Sequence, residues 1–301
     1  MRYRPQDVRG LVPLLFCACS FHPSGLASDA AGDGSGDSAV AGDGPTVDAP
    51  PPGSDAAAPQ IVLAGLIEDL DGDLGVSGIS PVTRWTNQVS GQGDDVTAAA
   101  GPGTIRLVPA AVNGHGVLVF DGAARLEGSN AAPFVPLVNG NGLTWFAVIL
   151  PGPQDNPAKN QMFGTIKNDG NHFDGFTAGV NGATSTPYAM MRPNSADELA
   201  QATTPTVGSW VVLAGELDAG MGSQHGSIYV NDPAPAKTIT LDVPGGAASG
   251  PLTVGSQEVG GTEFYTGSIT RILIYDRPLL AGELQATGRA LSQRYAITTA
   301  F

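Results

Sequence analysis

The chain changes character near residue 59, and this boundary decides where a folded domain can form. Residues 20–59 contain almost no large apolar side chains, whereas the sequence that follows is rich in them. A segment that buries little apolar surface cannot offset the conformational entropy lost on folding. Residues 20–59 are therefore predicted to be a disordered tether rich in Gly, Asp, Ala and Pro, and residues 60–301 to form one folded domain.

Residues 1–19 have the layout of a bacterial export signal. Three arginines precede an apolar run at 11–18, which is too short to span a bilayer as a helix. The end of this run, FCACS, resembles a lipobox, and the resemblance implies that Cys19 receives lipid. An exported protein, lipid-anchored at the outer surface of the cell envelope, is therefore expected. Ordinary signal cleavage near Ala27 is the alternative.

The charge of the chain excludes one class of partner. The formal net charge is −14, and residues 20–59 hold six Asp but no Lys or Arg. Nucleic-acid binding depends on clustered Lys and Arg, so a nucleic-acid partner is not expected. The acidic charge either keeps the protein soluble or collects cations such as calcium, and the sequence leaves both open.

From residue 61 onward, short apolar runs alternate with turn signals such as Asn113-Gly114. This spacing, without interleaved helices, is typical of an all-β antiparallel sandwich. Strands are predicted at 117–120, 143–150, 161–166, 175–180, 210–217, 226–230, 237–241, 252–254 and 268–275.

The last element has a different period. Leu280, Leu284, Gly288, Leu291 and Tyr295 recur at steps of three or four, which defines one face of an amphipathic helix. This short C-terminal helix is expected to pack on the sandwich as a closing element.

Several short motifs, taken in order, resemble one family. The sequences LDGDLGV at 70–76 and VTRW at 82–85 resemble the opening of bacterial laminin-G-like domains. The sequences FYTGSI at 264–269 and ILIYDRPL at 272–279 resemble their close, so the likeness covers about residues 62–297. These domains belong to the concanavalin A-like lectin/glucanase superfamily. The resemblance implies a jelly-roll β-sandwich, a fold that hosts lectins, glucanases and adhesion modules alike.

A retaining glycosidase needs two carboxylates about 5 Å apart. Glucanases of this superfamily carry them on one strand, as Glu-x-Asp-x-Glu or Glu-x-Asp-x-x-Glu. The nearest match begins at Glu216 and Asp218, but Gly220 and Met221 occupy the places of the second glutamate. A strand that runs into a polar turn explains the pattern, so no catalytic residue is predicted.

Calcium is the one cofactor that the sequence leaves open. The acidic run at 68–73 lacks the Gly and Glu that an EF-hand loop requires at its sixth and twelfth places. A site of another geometry could use Asp94 and Asp95, or Asp169 and Asp174. Solvated aspartates in turns are the alternative.

Sugar recognition uses exposed aromatic rings together with amide and carboxylate groups. Trp85, Trp145 and Trp210 lie in apolar strand contexts and are predicted to be core residues. The loop at 167–174 is the better candidate, although an ordinary polar hairpin also explains it. Its candidate ligand-binding residues are Asn168, Asp169, Asn171, His172, Phe173 and Asp174.

These features favour a non-catalytic binding module displayed on the cell envelope. A glycan or another cell-surface polymer is the expected partner, and the membrane is contacted only through the lipid anchor. An adhesion or scaffold protein that binds another protein is the alternative. A glycoside hydrolase with an unrecognised site is disfavoured by the missing second glutamate.

Overall fold

Alternating apolar side chains build two antiparallel sheets whose apolar faces meet. The predicted signal with Cys19, and residues 20–58 of the predicted tether, lie outside the described residues. The computed structural model describes residues 59–157, 159–168, 170, 173–192, 197–218, 224–241 and 248–301. All of these residues fall within one compact unit.

Eighteen strands run through the described residues, with one α-helix, α1 (Ala281–Tyr295), and a π-helical turn at Leu137–Asn141. The strands are β1 (Leu66–Asp71), β2 (Val76–Ser77), β3 (Arg84–Trp85), β4 (Val96–Ala98), β5 (Ile105–Val112), β6 (His115–Asp121), β7 (Leu126–Glu127), β8 (Leu143–Pro151), β9 (Asn160–Gly164), β10 (Lys167–Asn168), β11 (Phe173–Val180), β12 (Pro187–Arg192), β13 (Glu198–Gln201), β14 (Val211–Asp218), β15 (His225–Val230), β16 (Lys237–Thr240), β17 (Thr253–Val254) and β18 (Thr266–Tyr275).

The strands form an eight-stranded and a ten-stranded sheet. The first has the order β16–β15–β14–β8–β18–β6–β5, with β1 also paired to β18. The second has the order β13–β12–β11–β9–β17–β7–β4–β3–β2, with β10 paired to β11. Neighbouring strands run antiparallel in both sheets. The predicted all-β jelly-roll sandwich is confirmed.

The main core lies between the two sheets. The Trp145 ring on β8 meets the Phe163 ring on β9 edge to face, with ring centroids 5.3 Å apart. Gly215 is the register partner of Trp145, and a Cβ there would overlap the indole, so only glycine fits. Trp85 and Trp145 are fully buried, as predicted. Trp210 is half-buried and packs against a second apolar cluster instead.

The second apolar cluster lies between α1 and the outer face of the eight-stranded sheet. Leu284, Leu291 and Tyr295 of α1 pack there with Phe146 of β8, which confirms the closing helix. Leu280 departs from the predicted face because it is the N-cap, has an extended backbone and is 71% exposed. No helix in the described part of the chain is long and apolar enough to cross a membrane.

An ion-pair network fixes α1 to the sheet. Arg271 on β18 contacts Asp71 at 2.9 Å, and Arg294 near the end of α1 contacts the same carboxylate at 3.0 Å. Arg294 also contacts Asp73 at 2.9 Å, and His115 contacts Asp73 at 2.5 Å. The acidic run at the end of β1 is therefore a structural anchor between strands and helix.

Candidate functional site

A polar cleft of about 630 Å³ opens at one end of the ten-stranded sheet. Arg84, Thr97 and Glu127 on β3, β4 and β7 are register partners, so their side chains lie on one face. The residues next to them in sequence, Trp85 and Leu126, are buried in the core between the sheets. The cleft therefore uses the outer face of this sheet as its base.

Asn87 shapes the loop that follows β3. Its amide nitrogen donates to the carbonyl oxygens of Ile67, at 2.9 Å, and Gln92, at 2.8 Å. Its Oδ1 accepts from the N–H groups of Asp69, at 2.9 Å, and Val89, at 3.0 Å. Because the whole amide is used in this way, Asn87 holds the wall of the cleft against β1.

Asp94 joins this wall to the loop after β7. Its Oδ2 accepts from the backbone N–H groups of Ser129 and Asn130, both at 2.6 Å. A Cβ at Gly128 would overlap this carboxylate, so glycine allows the close approach of the two loops. Burial raises the pKa of Asp94.

Asp95 also makes hydrogen bonds with residues that line the cleft. Its Oδ1 accepts from the N–H of Asn87 at 2.8 Å, and its Oδ2 is paired with Arg84. No group of three or more His, Cys, Asp or Glu side chains within the described residues is arranged as a metal site. A calcium ion at Asp94 and Asp95 stays a prediction, and the Arg84 guanidinium on Asp95 does not favour it.

Glu68 on β1 lies directly behind the cleft wall. Its side chain is fully buried, and its Oε2 accepts from the N–H of Asp94 at 2.9 Å. Within the described residues, its Oε1 has no hydrogen-bond partner. Burial is the main cause that raises the pKa of Glu68 well above its usual value, and the carboxylates of Asp94, Asp95 and Asp69 raise it further. The environment thus favours the uncharged acid.

Several side chains at the rim keep unused hydrogen-bonding groups. Ser90, Gln92 and Ser129 line the cleft and are exposed, and their side chains make no hydrogen bond in the part of the chain that is described. The side chain of Asn130 uses its oxygen, which accepts from the N–H of Ala132 at 3.1 Å, and its amide nitrogen makes no hydrogen bond with the described residues. The cleft therefore combines a fixed base with free hydroxyl and amide groups at its edge.

The predicted sugar-binding loop forms a separate hairpin. Asn168 on β10 pairs with Phe173 on β11, and the Oδ1 of Asn168 accepts from the N–H of Gly170 at 2.9 Å. The Arg192 guanidinium lies 4.8 Å from the centroid of the Phe173 ring, a cation–π contact. The Phe173 ring is therefore half-buried, and the Arg192 guanidinium already lies over it.

The structure tests only three of the six predicted residues of this hairpin, and none of these three lines the polar cleft. Asn168, Phe173 and Asp174 are absent from its lining. Asp169, Asn171 and His172 lie outside the described residues. A ligand-binding role for this group stays a prediction.

Glu216 and Asp218 lie on the outer face of the eight-stranded sheet, since the intervening Leu217 is in the core between the sheets. Glu216 Oε1 is 2.9 Å from His225 Nε2, and Asp218 Oδ2 is 3.8 Å from His225 Nδ1. Burial raises the pKa of Glu216, and the His225 contact opposes this shift. The two carboxylates thus share one histidine and lie on a different sheet from the cleft.

Sequence reasoning missed the rim residues Ser90, Gln92, Ser129 and Asn130. They are single polar residues in turns, a pattern that carries no motif. The only local signal was the glycine pair that flanks Gln92, which marks a turn without showing what the turn faces.

Comparison with known families identifies the class of protein that this fold and site define. A laminin-G-type sequence profile of the concanavalin A-like lectin/glucanases superfamily matches residues 116–285, more than half of the sequence. The chain belongs to this superfamily. No curated protein matches the sequence.

Solved structures with the same fold include a sialidase and the binding domain of a neurotoxin. The sialidase of Trypanosoma rangeli in complex with sialic acid superposes with a TM-score of 0.52 and 14% identity, over 76% of this chain and 33% of that chain. The binding domain of botulinum neurotoxin serotype G gives a TM-score of 0.53 and 13% identity, over 76% and 51%. This chain thus spans about a third of the sialidase and half of the toxin domain. At this identity the likeness concerns the fold alone.

Proposed function

We propose that this domain binds carbohydrate without cleaving it, in the polar cleft beside β3, β4 and β7. The observation that carries the proposal is the set of unused hydroxyl and amide groups of Ser90, Gln92 and Ser129 around one cleft. Sugar hydroxyls both donate and accept hydrogen bonds, and these hydroxyl and amide groups can accept from them and donate to them.

The base of the cleft supports the same function because it is fixed before any ligand arrives. Asn87 and Asp94 hold the two loops through hydrogen bonds to backbone groups. A binding surface that is already ordered loses less conformational entropy when a ligand binds. The superfamily and its sialidase relative, solved with sialic acid, are compatible with a carbohydrate ligand.

The proposal is tested with a panel of soluble polysaccharides. We expect at least one polymer to retard the protein in affinity electrophoresis. The double variant Gln92→Ala, Ser129→Ala should bind it about tenfold more weakly, since each lost hydrogen bond contributes about 0.5–1.5 kcal/mol.

The control is Gln293→Ala, because Gln293 is an exposed amide on α1, outside the cleft. This variant should bind like the unaltered protein, and all variants should unfold at the same temperature. Equal binding by the double variant, or a panel without any retained polymer, would contradict the proposal.

We also propose that the domain is exported and displayed on the cell envelope through lipid on Cys19. The lipobox-like FCACS sequence and the predicted tether at 20–59 support this. A tether of that composition would hold a binding domain away from a surface, where polymers are accessible.

A further inference from the structure

We infer that the cleft accepts uncharged glycans and rejects glycans that carry carboxylates. This inference rests on the proposed carbohydrate-binding function and names the class of ligand. It is argued from the charges that line the cleft and from the backbone groups that an anion would need.

The ionisable side chains that line the cleft are mostly acidic. Asp94, Asp95 and Glu127 carry three negative charges, and Arg84 carries one positive charge, so the formal sum is −2. The guanidinium of Arg84 is paired with Asp95. The cleft therefore offers an incoming carboxylate no unpaired cation among its lining residues.

Glu127 lies at the base of the cleft. Its Oε1 accepts from Arg125 Nε at 2.5 Å and from the N–H of Gly260 at 2.8 Å. Its Oε2 makes no hydrogen bond within the described residues. Arg125 lies beside Glu127 on the same face of the strand and is not among the residues that line the cleft, so the ionisable side chains of the lining itself stay mostly acidic.

The backbone site that could receive an anion is already filled by the protein itself. Two successive N–H groups, those of Ser129 and Asn130, converge on one acceptor, which is the geometry that binds anionic oxygens. That acceptor is Asp94 Oδ2, at 2.6 Å from both nitrogens. A carboxylated sugar could reach these two N–H groups only by displacing Asp94, which would leave the buried Asp94 carboxylate without them, and that is unfavourable.

A carboxylate placed in the cleft would also meet like charges at short range. Repulsion between exposed charges depends on salt, because the Debye length falls from about 10 Å at 0.1 M to about 3 Å at 1 M. Discrimination against acidic glycans should therefore be strongest at low salt. On this basis the fold likeness to a sialidase does not extend to sialic acid as a ligand.

The inference is tested with a matched pair of polymers and the full chain. The first polymer is a neutral polysaccharide that the protein binds, and the second is the same polymer with its primary alcohols oxidised to carboxylates. We expect the oxidised polymer to bind about tenfold more weakly at low salt, and the difference to shrink at high salt.

Glu127→Gln removes one negative charge from the cleft and should reduce the ratio between the two affinities. Glu198→Gln removes the same charge from β13, at the far edge of the ten-stranded sheet, and should leave the ratio unchanged. Equal or tighter binding of the oxidised polymer would overturn the inference and leave carbohydrate binding intact. An identical ratio in Glu127→Gln would overturn it as well. If the protein binds no neutral polymer of the panel, the proposed function itself is rejected, and the inference with it.

Discussion

At the residue scale, the cleft is shaped by side chains that act on backbone groups. Asn87 and Asp94 together bind backbone groups on three segments: β1, the loop after β3 and the loop after β7. Bonds of this kind are shorter and stronger when the acceptor is ionised, as at Asp94. The positions of the rim residues thus depend on the hydrogen bonds that these two polar side chains make with backbone groups.

The buried Glu68 gives a prediction about pH. Its raised pKa means that the folded protein keeps a proton that the unfolded chain releases above its ordinary value of 4.5. The free energy of unfolding therefore falls as pH rises from that value toward the folded-state pKa. Glu68→Gln cannot ionise, so its stability relative to the unaltered protein should increase over this range. Urea unfolding at acid and neutral pH measures it.

The control for Glu68→Gln is the same exchange at a glutamate that is only partly buried. Glu198→Gln on β13, at an edge of the ten-stranded sheet, serves this purpose. If Glu68→Gln and Glu198→Gln follow the same pH profile, Glu68 does not stay protonated in the folded state.

At the element scale, the strands that sequence predicts best are those with uninterrupted apolar runs, such as β8 and β18. The strand β5 was missed because it lies at a sheet edge and its register breaks between Val108 and Val112, where Pro109 and Ala110 intervene. Ala110 has φ of 53°, which interrupts the alternation of side chains. Edge position and bulges remove the period on which strand prediction depends.

The candidate site was beyond sequence reasoning for a related reason. Asp94 and Ser129 are 35 residues apart, and they meet because β4 pairs with β7 between them. The spacing of residues along the sequence does not show which strands pair. Asp94 and Asp95 were predicted only as a possible calcium site, which stays a prediction, and their contacts with Arg84 and with backbone N–H groups became visible only in the fold.

The packing of α1 gives a prediction with opposite signs at two glycines. A Cβ at Gly288 would overlap the Phe301 ring, which is buried against α1, whereas a Cβ at Gly282 has nothing within 4 Å. Alanine is the better helix former by about 1 kcal/mol, so Gly282→Ala should stabilise the protein by up to that amount. Gly288→Ala should destabilise it by roughly 1–3 kcal/mol because the ring must move.

Chemical denaturation of the two variants measures the contrast. Each exchange adds the same methyl group to the same helix, so propensity alone would shift both unfolding midpoints upward. A stabilised Gly288→Ala would show that the second apolar cluster does not hold Phe301 against α1.

At the scale of the whole molecule, the sequence is predicted to divide into an export signal, a tether and a folded domain, and the described residues from 60 onward fall in the predicted domain. The domain keeps the outer face of its eight-stranded sheet covered by α1, and its polar cleft opens on the other sheet. The two functions proposed for the chain, surface display and glycan binding, therefore depend on separate parts of it.

Attachment to the membrane is predicted to depend on one thiol. In a bacterial host, labelled palmitate should enter the protein and be lost in Cys19→Ala. Cys17→Ala, two residues away in the same apolar run, should keep the label. Fluorography of the purified protein measures both, and a label that persists in Cys19→Ala would exclude this anchor.

The pairing of β1 with β18 brings together the two ends of the domain sequence. Asp69 and Arg271, which form a bidentate pair across these strands, are 202 residues apart. A contact of this kind must close a very long loop before it contributes any stability, and such topologies fold slowly. The eight-stranded sheet can be completed only when β18 has left the ribosome. The strand β1 therefore stays without its partner strand until almost the whole domain has been synthesised.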